Sequence, residues 1–71
     1  MKITLKAARV NAGLTQKKVA KKLNVSARTI AYWESGTVEP SVSKFFELCQ
    51  IYDVKADAIF LPSSSQNANT D

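Results

Sequence analysis

The chain has 71 residues, a net charge of +4, 45 % hydrophobic and 8 % aromatic content, one cysteine and no histidine. That is enough for one small folded domain, and no apolar run approaches the ~18–20 residues that cross a bilayer. A lone cysteine excludes an internal disulfide scaffold, and a chain without histidine lacks the usual general base and imidazole metal ligand.

In chain order, the amino end Met1-Lys2-Ile3-Thr4-Leu5-Lys6 lacks the apolar stretch of a secretory signal. Thr4 is positioned to cap a first helix over about Leu5 to Ala12, with Leu5, Ala8 and Ala12 turned inward and Gly13 ending it. Thr15 caps a second helix, Gln16 to Leu23, whose stripe is Val19, Ala20 and Leu23. Asn24 tolerates the left-handed turn, and Ser26 caps a third helix from Ala27 to Ser35, stopped by Gly36. After a loop through Pro40, Ser41 caps a fourth helix, Val42 to Tyr52, with Phe45, Leu48, Cys49 and Tyr52 inward. A short fifth helix is expected over Ala56 to Leu61, packing Ile59 and Phe60 on the core. From Pro62 to Asp71 the chain has almost nothing to bury, so residues 62–71 read as a flexible polar tail after a domain at 1–61. The expected class is all-α: five helices, compact, with the tail disordered.

Charge is distributed unevenly. Residues 1–33 hold eight basic side chains and no acidic one; residues 34–71 hold two basic against six acidic. A lysine-rich helix face is often merely solvated, but 33 positions without one carboxylate favour an anionic partner, nucleic acid being the commonest. The third helix sharpens this. At about 100° per residue, Arg28, Ala31, Tyr32 and Ser35 share one arc while Ile30 and Trp33 lie opposite. A guanidinium, a phenol and small side chains on one outward arc suit a DNA major groove, where arginine binds guanine O6 and N7 bidentately. Nothing points to an enzyme: no nucleophile has a base, no glycine-rich loop is present, and the carboxylates have no metal-loop spacing. No metal, cofactor or small-molecule ligand is expected. Cys49 reads as a core thiol.

Gly13-Leu14-Thr15-Gln16, Val19-Ala20, Leu23-Asn24-Val25-Ser26, Thr29-Ile30, Trp33-Glu34 with Gly36, and Pro40-Ser41 together resemble the helix-turn-helix domain of phage Cro and repressor proteins. The same domain occurs in the Xre-type bacterial regulators. The resemblance spans about Thr4 to Leu61 and implies a lambda-repressor-like fold with helices two and three as the motif. It also implies a sequence-specific transcriptional regulator, a repressor of phage or bacterial origin working in the bacterial cytoplasm.

Carried over by position, the resemblance assigns base reading to Ala27, Arg28, Ala31 and Tyr32, with Arg28 foremost. It assigns phosphate contact to Gln16, Thr15, Ser26, Lys17 and Arg9. Arg9 also matches an arginine that pairs with the glutamate at Glu34, as a structural salt bridge. The implied partner is a double-stranded operator bound by a homodimer, formed in solution or only on DNA, because one helix reads too few base pairs. Val38, Val42 and Phe46 are the candidate apolar contacts. The chain reads equally as a Cro-like protein or as the head of a longer repressor.

The sequence departs from the family pattern in places. Lys17 and Lys18 stand where acidic residues are frequent and oppose the helix dipole, at a cost of about 0.3–1 kcal/mol. Thr37, Val38 and Glu39 replace basic loop residues, Asp53 stands where glycine usually ends the fourth helix, and Lys55 replaces a polar cap. Two rival readings remain: a protein-interaction module such as an antitoxin or anti-repressor, which has no need of so basic an amino half, and non-specific nucleic-acid binding, which has no need of an Arg28–Tyr32 arc.

Overall fold

A computed structural model describes residues 2–61. A two-residue strand β1 (Ile3–Thr4) leads into α1 (Leu5–Asn11), α2 (Gln16–Leu23), α3 (Ala27–Ser35) and α4 (Val42–Tyr52). A single 3-10 turn (Ala56–Ala58) and a strand β2 (Ile59–Phe60) follow. Each α-helix begins on a hydroxyl cap: Thr4, Thr15, Ser26 and Ser41 accept from the backbone N–H three residues on, at 3.0–3.2 Å. Each such cap satisfies one of the otherwise orphaned donors of a helix start.

The four helices also end alike. Gly13, Asn24, Gly36 and Asp53 all adopt the left-handed conformation, with φ of 73°, 58°, 82° and 56°. In each case the next N–H folds back onto a carbonyl of the last turn: Leu14 on Arg9, Val25 on Ala20, Thr37 on Tyr32 and Val54 on Cys49. This closure consumes a free carbonyl and reverses the chain within three residues. Short helices joined by such stops are held close enough to share one core. That core comprises Leu5, Ala8, Val19, Ala20, Leu23, Ile30, Trp33, Leu48, Cys49, Tyr52 and Ile59. Burial pushes the Cys49 thiol up from its ordinary value, as suits a packing residue. No helix among the described residues is long and apolar enough to cross a membrane.

The expectation of five helices is corrected to four. Residues 56–61 form one 3-10 turn and then pair β2 with β1 in parallel, Ile3 opposite Ile59 and Thr4 opposite Phe60. Three causes act together. Lys55 offers no side-chain cap bond, six residues are too few to repay helix nucleation, and Pro62 disfavours helical backbone at Leu61. Strand alternation then buries Ile59 and turns Phe60 outward, 39 % exposed, so Phe60 does not pack on the core as expected. Helix α1 likewise stops at Asn11, and Ala12 is exposed rather than inward. The expected tail at 62–71 lies outside the described residues.

Asn24 and Asp53 are the costlier of the four stops, being non-glycine residues whose αL strain is only partly relieved by a short polar side chain. Asp53→Gly should raise stability by up to about 1 kcal/mol, a gain of several degrees in thermal midpoint by calorimetry.

Candidate nucleic-acid interface

Helix α3 divides as its period dictates. Ile30 and Trp33 are buried, which turns Arg28, Tyr32 and Ser35 to solvent with Ala27 and Ala31 half-buried between them. Tyr32 is 41 % exposed, and the Arg28 guanidinium takes no ion pair or hydrogen bond among the described residues. Ser35 is otherwise occupied: its hydroxyl donates to the Tyr32 carbonyl at 3.2 Å and meets the Thr37 hydroxyl at 2.8 Å, closing the end of the helix.

The rotation of α3 is pinned by one carboxylate on its inner side. Glu34 accepts from Arg9 Nε at 2.6 Å and from Arg9 Nη2 at 3.3 Å, while Arg9 Nη1 donates to the Leu14 carbonyl at 2.9 Å. The same carboxylate accepts from Gln16 Nε2 at 3.0 Å. Glu34 thus ties together α1, the first residue of α2 and α3. The pair is largely withdrawn from solvent, with side-chain exposures of 11 % for Arg9 and 6 % for Glu34. The hydrogen bond to Glu34 holds the Arg9 guanidinium above its already high value, against the opposing effect of burial. Three of the five arginine N–H groups are engaged internally.

Gln16 is therefore oriented by Glu34 rather than left loose at the helix start. Its amide nitrogen keeps a second hydrogen for an outside acceptor. Thr15 and Ser26 flank the motif as caps, and the Ser26 hydroxyl also meets that of Thr29 at 3.0 Å. Lys17 is exposed on the outer face of α2, beside Lys18.

Three contacts escaped sequence reasoning. The Gln16–Glu34 bond joins residues 18 apart, which no helical periodicity connects. Lys44, on α4, donates to the Leu23 carbonyl at 3.2 Å, capping the end of α2 while standing 3.7 Å from Glu47. Tyr52, assigned only to the core, feels the charges of both Glu34 and Arg9. Burial first, and then Glu34, pushes its phenol up to about 12, Arg9 opposing.

The chain matches the helix-turn-helix family over residues 5–59. It belongs to the Cro/Xre helix-turn-helix family. An uncharacterised HTH-type transcriptional regulator of Methanocaldococcus jannaschii is 41 % identical over 61 residues, 86 % of this chain and 92 % of that one. Two uncharacterised HTH-type transcriptional regulators of Archaeoglobus fulgidus are 26 % and 28 % identical over 61 residues, again 86 % of this chain and 87 % and 86 % of theirs. These three relatives are archaeal, where the resemblance had implied phage or bacterial origin. No solved structure matches.

Two outcomes follow from the junction. Glu34→Gln leaves the arginine charge buried and unpaired, which costs about 3–5 kcal/mol. For so small a domain this approaches the whole stability. Arg9→Met combined with Glu34→Leu should recover most of that loss in urea unfolding, because neither charge then needs a partner. Tyr52 carries a pH dependence. Its phenol holds its proton more tightly folded than unfolded, where the value is near 10. The associated stability is complete below pH about 10 and falls as pH rises toward about 12. Tyr52→Phe should flatten the decline in thermal midpoint across that window; an unchanged decline would assign it to other groups.

Proposed function

We propose that this chain is a sequence-specific regulator of transcription, a repressor, that lays α3 in the major groove of double-stranded DNA. The observation that carries the reading is the outward arc of α3. Arg28 and Tyr32 face outward with Ala31 half-buried between them, while Ile30 and Trp33 anchor the opposite side and Glu34 sets the rotation. An exposed arginine beside small side chains is the combination that reads guanine bidentately and meets thymine methyls. Membership of the family and the names of the three archaeal relatives support the same reading.

In this reading Arg28 binds guanine O6 and N7, and Ala27, Ala31 and Tyr32 meet neighbouring base edges. Gln16 donates to a phosphate through the amide hydrogen that Glu34 leaves uncommitted. Thr15, Ser26 and Lys17 add phosphate contacts, and Arg9 contributes through the N–H groups not engaged by Glu34 and Leu14. Such contacts fix register and orientation, whereas the base edges supply the sequence information.

One helix reads only a few base pairs, so specificity calls for two subunits on half-sites about 34 Å apart. Val38, Val42 and Phe46 are 46 %, 72 % and 54 % exposed, and they form the apolar face we assign to pairing of two copies. They lie in the carboxyl-terminal half, where acidic residues outnumber basic ones and phosphate is not attracted.

Selection from random duplex DNA tests the proposal, repeated with Arg28→Ala. The expected result is an inverted repeat containing a guanine. The variant should bind it about 1–3 kcal/mol more weakly and lose the preference at that base pair alone. Equal weakening on every sequence would move Arg28 to the phosphate contacts. No binding at low salt would overturn DNA recognition in favour of a protein-binding role.

A further inference from the structure

Beyond Lys17, helix α2 carries three lysines that the roles above do not use. Lys17, Lys18, Lys21 and Lys22 are all exposed, and none takes an ion pair or a side-chain hydrogen bond among the described residues. At about 100° per residue they occupy one continuous face, opposite the buried Val19, Ala20 and Leu23. The helix has no acidic residue to offset them.

Folding accounts for only half of this arrangement: Lys21 and Lys22 lie in the last turn, where cations suit the helix dipole. Lys17 faces Lys21, and Lys18 faces both Lys21 and Lys22, at the three- and four-residue spacings where like charges repel. Lys17 and Lys18 also sit in the first turn, against the helix dipole. Lys17 and Lys18 are exposed, so a neutral polar residue at either would fold at least as well. A face that opposes its own helix calls for an external anion that offsets the repulsion.

We propose that the four-lysine face of α2 is a second, sequence-independent DNA surface, binding backbone phosphates outside the base pairs that α3 reads. The proposal rests on the DNA-binding reading above and extends its footprint. Two features favour duplex phosphate as the occupant. The face adjoins Thr15, the cap of the same helix and itself a proposed phosphate contact. Its length also suits a strand: Lys17 to Lys22 spans about 7.5 Å of helix axis, enough to meet two or three successive phosphates spaced ~3.4 Å along the duplex axis. Flexible four-carbon stems absorb the remaining mismatch.

The test uses two duplexes carrying the selected site, one trimmed to its edges and one extended by about one helical turn on each side. The unaltered chain should bind the extended duplex more tightly. Lys21→Gln combined with Lys22→Gln should lose most of that gain, keep the selected motif, and make the slope of log K against log salt about 1.8 less steep. Lys21→Arg with Lys22→Arg keeps the charge and should retain the gain. Thermal melting of the glutamine variant within a few degrees of the parent excludes unfolding as the cause. Equal gain and equal slope in the glutamine variant, or no gain in the parent, would overturn the proposal. A parent that enriches no motif would defeat base reading by α3 instead, and the slope difference on any long duplex would then decide the lysine face by itself.

Discussion

The orientation of α3 depends on one carboxylate that is almost completely removed from water. Glu34 is 6 % exposed and would be intolerable there alone, since an unpaired buried charge costs several kcal/mol. Arg9 neutralises it, and the Leu14 carbonyl and the Gln16 amide complete the hydrogen bonding. The consequence is geometric. A helix of nine residues has little intrinsic resistance to rolling on an apolar bed, because Ile30 and Trp33 make non-directional contacts. A bidentate guanidinium–carboxylate pair is directional. It converts a helix that is merely buried on one side into one whose opposite side points in a defined direction.

The same carboxylate couples two chemically different contacts. Gln16 stands where a phosphate contact is proposed, and Arg28 where a base contact is proposed, on different helices. Their relation is set by Glu34, not by the turn between α2 and α3 alone. A shift of either helix is resisted by a part-buried network in which each bond supports the next. Tyr52 brings α4 into this junction. All four α-helices therefore border the junction, α4 through a phenol whose ionisation the Glu34 and Arg9 charges affect.

Small size makes the helix ends as important as the core. Four hydroxyl caps and four left-handed stops satisfy backbone groups that a domain of this length cannot afford to leave open. They also set the chain reversals that bring short helices across one another. Against this economy, Lys17 and Lys18 of the α2 lysine face stand out, since they oppose the helix dipole and repel Lys21 and Lys22. Charge is concentrated in the amino-terminal half, while exposed apolar surface lies largely in the carboxyl-terminal half. This division separates contact with a polyanion from contact with another protein surface.

Much of the molecule was legible without coordinates. Caps at Thr4, Thr15, Ser26 and Ser41, and stops at Gly13, Asn24 and Gly36, are local chemistry: each depends on one side chain and the few residues beside it. Helical period then sorted Ile30 and Trp33 from Arg28 and Tyr32, because a regular helix makes angular position a function of residue number. Residues 56–61 were misread for the opposite reason. Their pairing with Ile3 and Thr4 joins chain segments more than 50 residues apart, and local propensity carries no information about so distant a backbone partner. The Gln16–Glu34 bond, the Lys44 cap on α2 and the charges around Tyr52 belong to the same class. The amino-acid sequence by itself determined where helices start, stop and turn their faces, since those are short-range matters of sterics and hydrogen bonding. Only the tertiary structure decided which polar groups meet across helices, because that depends on how the packed core aligns elements that the chain itself keeps apart.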